Sequence, residues 1–312
     1  MIDGKDSSNL FTVLTNNTSA LNVHRPRPDW LKVRLPSSEG YFSLKRLVRD
    51  HRLNTVCEDA RCPNIGECWG AGTATFMILG EVCTRACKFC AVQTGLPPEY
   101  DLDEPRRVAE ALQKLSLKYA VITSVDRDDL EDGGAYIFAE TIRKARSACP
   151  GIKIEVLIPD FRGDQAALRT VVAARPDVLA HNIETVPRLY PVARAGSRYR
   201  RSLEHLSNAK DFGFEVTTKS SIMVGLGERT DEILEVMNDL REYRVDILTL
   251  GQYLQPTRDH LPVDRFYTPQ EFADLRDYGR SLGFRHVEAG PLVRSSYHAE
   301  KQAAVEASGI GA

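Results

Sequence analysis

Three cysteines fall within eight residues in Cys83-Thr84-Arg85-Ala86-Cys87-Lys88-Phe89-Cys90, a C-x3-C-x2-C spacing. Thiolates are soft ligands, and three in one loop suit an iron–sulfur cluster, zinc or Cu(I). A four-iron cubane takes four protein ligands, so three would leave one iron open to a further molecule. Upstream, Cys57, Cys62 and Cys68 form a second incomplete set, C-x4-C-x5-C. The two triplets could combine on one ion, as ligands do in crossed zinc sites. Six thiolates are too many for one tetrahedral ion, however, and two clusters use them better. Zinc ribbons also favour paired C-x2-C units over triplets. Disulfides are a poor alternative, because three close cysteines cannot all pair and no secretory signal is visible near Asp3, Lys5 and Asp6. The seventh cysteine, Cys149, precedes Pro150 and is expected to be a bystander.

The first triplet follows directly on Ala74-Thr75-Phe76-Met77-Ile78-Leu79. This apolar run reads as a buried strand, with the cysteines in the loop leaving its C-terminal end. Strand-like runs at 76–79, 119–123, 154–158, 178–181, 215–223 and 246–250 alternate with helical periodicity at 108–117, 136–148 and 230–242. That alternation predicts a parallel sheet with right-handed crossovers. Six units, in a span shorter than the ~250 residues of a closed eightfold barrel, predict an α/β fold built as an open, partial (β/α)6 TIM-like barrel. Polar groups at the strand ends are then the candidates. Thr123 and Ser124 end the second strand, and Asp128 and Asp129 beyond them are expected to cap a helix. Asn182 and Glu184 follow the fourth strand and suit ribose hydroxyls or an ammonium group, with a buried salt bridge equally open. Lys219 could bind a carboxylate or pair with a strand-end acid. Gly225-Leu226-Gly227 lacks the further glycine and the lysine of a phosphate loop.

The 312 residues divide into an arm (1–29), an N-terminal extension carrying the upstream triplet (30–73), the barrel (74–258) and a C-terminal extension (259–312). A short strand is expected from Trp30 and an amphipathic helix over 42–51. A hydrophobic content of 42% supports a large core, and a net charge of −2 gives no electrostatic case for nucleic acid. No run approaches the ~20 apolar residues of a membrane span. We therefore expect a cytoplasmic protein with neither nucleic acid nor membrane as partner.

C-x3-C-x2-C with Phe89 before its last cysteine resembles the signature of radical S-adenosylmethionine enzymes. Preceded by C-x4-C-x5-C, it is similar to the lipoyl synthases among them, as are 74–80, 125–130, 251–256 and the late Arg294-Ser295-Ser296-Tyr297. The resemblance runs from about residue 30 to 298. It implies a 4Fe–4S cluster on Cys83, Cys87 and Cys90, with the amino and carboxylate groups of S-adenosyl-L-methionine on the open iron. It also implies an auxiliary 4Fe–4S cluster on Cys57, Cys62, Cys68 and Ser296, carried by the two extensions. Phe89, Thr123, Ser124, Asn182, Glu184 and Lys219 would contact S-adenosylmethionine. The backbone of Gly133-Gly134 would meet its amine, and residues 221–228 its adenine. The implied activity is insertion of sulfur at C6 and C8 of a protein-bound octanoyl-lysine chain, with the auxiliary cluster as donor. Implied partners are octanoylated lipoyl carrier domains (acyltransferase subunits of 2-oxoacid dehydrogenases, the glycine cleavage H protein), a ferredoxin- or flavodoxin-type reductant and an iron–sulfur carrier protein. Two other classes compete. A radical methylthiotransferase acting on RNA would need a basic, aromatic-rich appendage, and none is visible. The other is a non-enzymatic iron- or zinc-binding protein, which colourless protein containing zinc would support. Protein reconstituted without oxygen should hold about eight irons, and replacing Cys83, Cys87 and Cys90 together by Ala should halve that number. An unchanged iron count in that variant would remove the assignment of the first triplet.

Overall fold

A computed structural model describes residues 27–33, 36–70 and 73–304. The chain forms two compact units, 1–32 and 33–312. In the first, the strand expected from Trp30 is instead a 3-10 turn, Asp29–Leu31. Pro28 fixes the entry, and Lys32 closes on Asp29 at 2.5 Å. Most of the expected arm lies outside the described residues.

The second unit is organised by an eight-stranded sheet in chain order. Its strands are β1 (Asn54–Thr55), β2 (Thr75–Ile78), β3 (Tyr119–Ser124), β4 (Lys153–Leu157), β5 (Val178–Ala180), β6 (Thr217–Val224), β7 (Ile247–Gln252) and β8 (His286–Gly290). β1 is antiparallel to β2, and every other neighbouring pair is parallel. The helix α1 (Glu39–Asp50) precedes the sheet. Six helices make the crossovers: α2 (Glu104–Lys114), α3 (Ala135–Ala148), α4 (Gln165–Ala173), α5 (Tyr199–Ala209), α6 (Thr230–Glu242) and α7 (Pro269–Ser281). Among the described residues β8 pairs only with β7, so the barrel stays open. The expected α/β partial barrel is therefore present, with two strands beyond the six anticipated, the short antiparallel β1 and the parallel β8. β8 was missed because His-Val-Glu-Ala-Gly lacks an apolar run, with just Val287 and Ala289 packing against the core.

Alternation along the strands sorts the side chains. Ile122, Ile154, Val156, Leu179, Ile222, Leu248 and Leu250 join the core under the helices. The opposite face, lining the lumen, carries polar groups that must find partners there. Lys219 and Glu155 are both fully buried and meet at 2.8 Å. Tyr119 donates to the other oxygen of Glu155 at 2.7 Å. Lys219 pairs in register with Ala180 and Ile247, low in the barrel rather than at a strand end. Of its two expected roles, the structure shows the ion pair, here with an acid in the middle of β4. Removing one partner of a buried pair strands the other charge, so Lys219→Ala should lower unfolding stability by about 3 kcal/mol in denaturant titration, and Lys219→Ala/Glu155→Leu by much less. Equal losses in the two variants would show that the pair does not act as a unit.

Candidate cluster and cofactor site

β2 delivers the chain to the first triplet through a tight turn, with Leu79 and Gly80 both at positive φ. The buried Glu104, opening α2, accepts the Leu79 N–H at 2.7 Å and holds this turn. Arg85 then fixes the loop. Buried to 7% exposure, it makes a two-pronged pair with Asp128 (2.7 and 2.8 Å), reaches Asp160 at 2.7 Å and lies 3.4 Å from Asp126. The cysteine loop is thereby tied to the ends of β3 and β4. Further bonds close it: Lys88 N–H to Ala193 O, Leu261 N–H to Lys88 O, and His260 to Cys90 O at 2.9 Å. Backbone N–H groups of Arg85 and Asp126 point at the Cys83 sulfur, at 3.4 and 3.3 Å. Burial pushes the Cys87 thiol up to about 12 and Cys90 to about 11, while the Arg194 guanidinium pulls Cys87 back. Ligation must displace those protons.

Asp128 and Asp129 do not cap α3 as expected. They pair with Arg85 and Arg127, and Asp132 supplies the turn instead, accepting from Gly134 and Tyr136 N–H at 2.8 and 2.7 Å. Gly134 has its own packing reason. It sits at φ +89°, and a Cβ there would lie 2.2 Å from a Leu79 methyl.

The upstream triplet is held at the other end of β2. Cys62 N–H bonds Cys57 O, Cys68 N–H bonds Asn64 O, and Thr73 N–H bonds Cys68 O. Fully buried Trp69, against the Tyr41 ring, anchors the segment. Cys57, Cys62 and Cys68 line one pocket together with Thr75, Arg294, Ser296 and Tyr297. Thr75 donates to the Ser296 hydroxyl at 2.9 Å, whereas Ser295 is absent from the lining. Tyr297 and His298 share one oxygen of Glu67, at 3.1 and 3.2 Å. Burial, then the neighbouring thiols, drives Cys68 up to about 12. Among the described residues no three His, Cys, Asp or Glu side chains close on a single-ion position. The three thiols and the Ser296 hydroxyl nonetheless line one pocket, and three sulfurs with one oxygen are a donor set of the kind an iron–sulfur cluster takes.

The radical SAM superfamily profile matches residues 77–240, and the profile for the N-terminal domain of lipoyl synthase matches 3–62. Lipoyl synthase of Rubrobacter xylanophilus is 61% identical over 276 residues, covering 88% of this chain and 86% of its own. That of Shouchella clausii is 57% identical over 280 residues, covering 89% and 91%. The chain belongs to the lipoyl synthase family. In fold alone, it is similar to the FeFe-hydrogenase maturase HydG of Carboxydothermus hydrogenoformans (TM-score 0.52, 13% identity, 81% of this chain and 64% of that one). It is likewise similar to Streptococcus suis SuiB bound to S-adenosylmethionine (TM-score 0.50, 12% identity, 88% and 56%).

A radical SAM lipoyl synthase uses a 4Fe–4S cluster and S-adenosylmethionine, and the strand ends near Cys83, Cys87 and Cys90 fit such a ligand. Ser124 Oγ and Asn182 Oδ1 are buried there without a hydrogen-bond partner among the described residues, as is Thr249 Oγ1 on β7. Orphaned polar atoms around one mouth are what a polar ligand satisfies. Glu184, at φ +70°, accepts from the Asn182 amide at 3.0 Å, and burial raises its carboxyl against the pull of Arg194. Thr123 is committed elsewhere, donating to Leu157 O at 2.8 Å. Phe89 stays half-buried within the loop. Sequence reasoning missed Arg194, Asp126 and the hub Arg85. Arg85 lay inside the motif but was read only as spacer, and Arg194 follows a short helix that no pattern marked. With Arg85→Gln the loop loses its tie to three carboxylates, so reconstituted protein should fall from about eight irons to about four, the upstream set remaining. Full iron content in that variant would show that the loop forms without the hub.

Proposed function

We propose that this lipoyl synthase inserts two sulfur atoms, at C6 and C8, into an octanoyl chain amide-linked to a lysine of a carrier domain, with an auxiliary 4Fe–4S cluster on Cys57, Cys62, Cys68 and Ser296 as the sulfur source. The observation that carries this reading is the gathering of all four side chains in one pocket, although Ser296 is more than 220 residues from Cys68. When bound, the first cluster and S-adenosylmethionine supply a 5′-deoxyadenosyl radical, needed because no positioned base can deprotonate an unactivated C–H bond, and the auxiliary cluster supplies sulfide.

The chain's own residues orient and enclose. Cys83, Cys87 and Cys90 would hold the first cluster. Ser124, Asn182 and Glu184 offer hydrogen bonds to the cofactor, and Phe89 an apolar edge. Arg85 and Glu104 keep the loop in place. The lumen between the triplets excludes water, so a carbon radical formed there meets sulfur before solvent. Ser296 brings a hard oxygen ligand, which holds iron less firmly than thiolate and makes its corner the labile one. Octanoylated carrier domains of the 2-oxoacid dehydrogenase and glycine cleavage type, a ferredoxin- or flavodoxin-type reductant and an iron–sulfur carrier would serve this chemistry, in the cytoplasm. No described helix is long and apolar enough to cross a membrane.

Mass spectrometry of an octanoyl-lysine peptide after anaerobic reaction tests the reading. The wild type should add two sulfurs. With Cys57, Cys62 and Cys68 replaced, S-adenosylmethionine should still be cleaved but no sulfur added. Ser296→Cys should assemble both clusters yet be badly impaired in sulfur insertion, and Ser295→Ala should be much milder. Full activity in Ser296→Ala would overturn the ligand assignment while leaving the radical chemistry intact.

A further inference from the structure

Among the described residues, Arg294 is the one arginine lining the cysteine sites with no acidic ion-pair partner. Arg85 has Asp128 and Asp160, and Arg194 lies beside Glu184. Arg127, next to the first loop, is paired with Asp129. Arg294 makes one hydrogen bond, from Nη1 to the carbonyl of its neighbour Val293 at 2.7 Å, and no ion pair among the described residues. Glu288 on β8, the strand that leads to this segment, faces His286 at 3.3 Å. Yet Arg294 is strongly desolvated, and the group whose charge it feels is the Cys62 thiol. A desolvated cation without a counter-charge is expensive, so the working protein should bring an anion to it.

The backbone is shaped to put it there. Gly251, at the end of β7, lies so close to the incoming chain that a Cβ would sit 2.0 Å from Val293 O and 3.4 Å from Arg294 Nη1. The side chain then lines the same pocket as Cys57, Cys62, Cys68 and Ser296. Three thiolates and an oxygen on a 4Fe–4S core make a net anion. We propose that the Arg294 guanidinium is the charge partner of that anion, setting how firmly the auxiliary cluster is kept and at what potential it is reduced. This rests on the reading of the pocket given above. A cation beside the cluster stabilises the reduced, more negative state, so its removal lowers the potential. It also strengthens retention of the whole anion.

The test compares wild type, Arg294→Met and Arg294→Lys, each as metal-free and as reconstituted full-length protein. Its readouts are thermal unfolding, iron release to a chelator, and the midpoint potential from an electron paramagnetic resonance titration. In metal-free protein Arg294→Met removes a half-buried charge that has no acidic partner among the described residues, so it should unfold at the same temperature as wild type or higher. In reconstituted protein the same variant should lose its auxiliary irons about tenfold faster or more, the Coulomb attraction of one unit charge at short range being gone, and show a lower auxiliary potential. Arg294→Lys should recover most of both. A metal-free Arg294→Met that melts below wild type would mark a structural role and sink the proposal, as would release rates and potentials equal to wild type. Wild-type protein that holds only about four irons would instead sink the reading of the pocket itself.

Discussion

The length of β2 governs everything else. Its four residues are all buried and run between β1 and β3, with one triplet at each end. At the usual rise per residue, Thr75 and Ile78 stand about 10 Å apart. A strand hydrogen-bonded on both sides cannot stretch or slip without breaking two ladders, and a shift by one residue would turn Thr75 away from Ser296. The two thiolate sets are thus held at a fixed distance by the most rigid element available. Neither loop needs to be stiff in itself. Each is set by its attachment, the first through Arg85 to the ends of β3 and β4, the second through Trp69 and the chain after β8.

The lumen behind β2 follows a different rule from the core outside it. Outward-facing residues of the strands are aliphatic and pack on helices, where any shape of similar volume would serve. The inward-facing side mixes apolar residues such as Val121 and Ile247 with polar ones that are individually paired: Lys219 with Glu155, Tyr119 with the same carboxylate, Thr123 with Leu157 O. Pairing is complete low in the barrel and fails near the mouth, where Ser124, Asn182 and Thr249 keep unmet atoms. A buried polar atom without a partner costs about 1–3 kcal/mol, so these are the places where a ligand gains most by binding. The gradient from paired floor to unpaired mouth marks the ligand end of the barrel independently of the cysteines.

What could be read from the sequence follows from how local each signal is. The cysteine spacings are local, and so are the six apolar strands, whose observed limits differ from the expected ones by two residues or fewer. β8 was not legible, because in His-Val-Glu-Ala-Gly the inward positions are occupied by His286 and Glu288. The turn at Asp29–Leu31 was misread as strand because Trp30 and Val33 look like a buried stripe, yet both are exposed. Lys219 and the pair Asp128 and Asp129 illustrate a deeper limit. Their partners, Glu155, Arg85 and Arg127, are chosen by strand register and loop closure. No motif spacing encodes a contact between Lys219 and a residue 64 positions earlier.

The chain after β8 joins two tasks in one short segment. It brings Arg294 and Ser296 to the pocket of the upstream triplet, and six residues after Ser296 Gln302 is buried, with Ala299 packed on Tyr119 and Val121 of β3. The contacts holding it are unequal. Glu67, shared by Tyr297 and His298, is more than half exposed, and an exposed pair of that kind is worth roughly 1 kcal/mol or less. Burial of Val293 alone contributes about 1.5–3 kcal/mol, with Ala299 adding to it. The segment is therefore held by its apolar contacts with the lumen wall, and the Glu67 clamp only trims its position. Loosening those contacts would withdraw the serine oxygen and the guanidinium together and open the lumen floor at the same time.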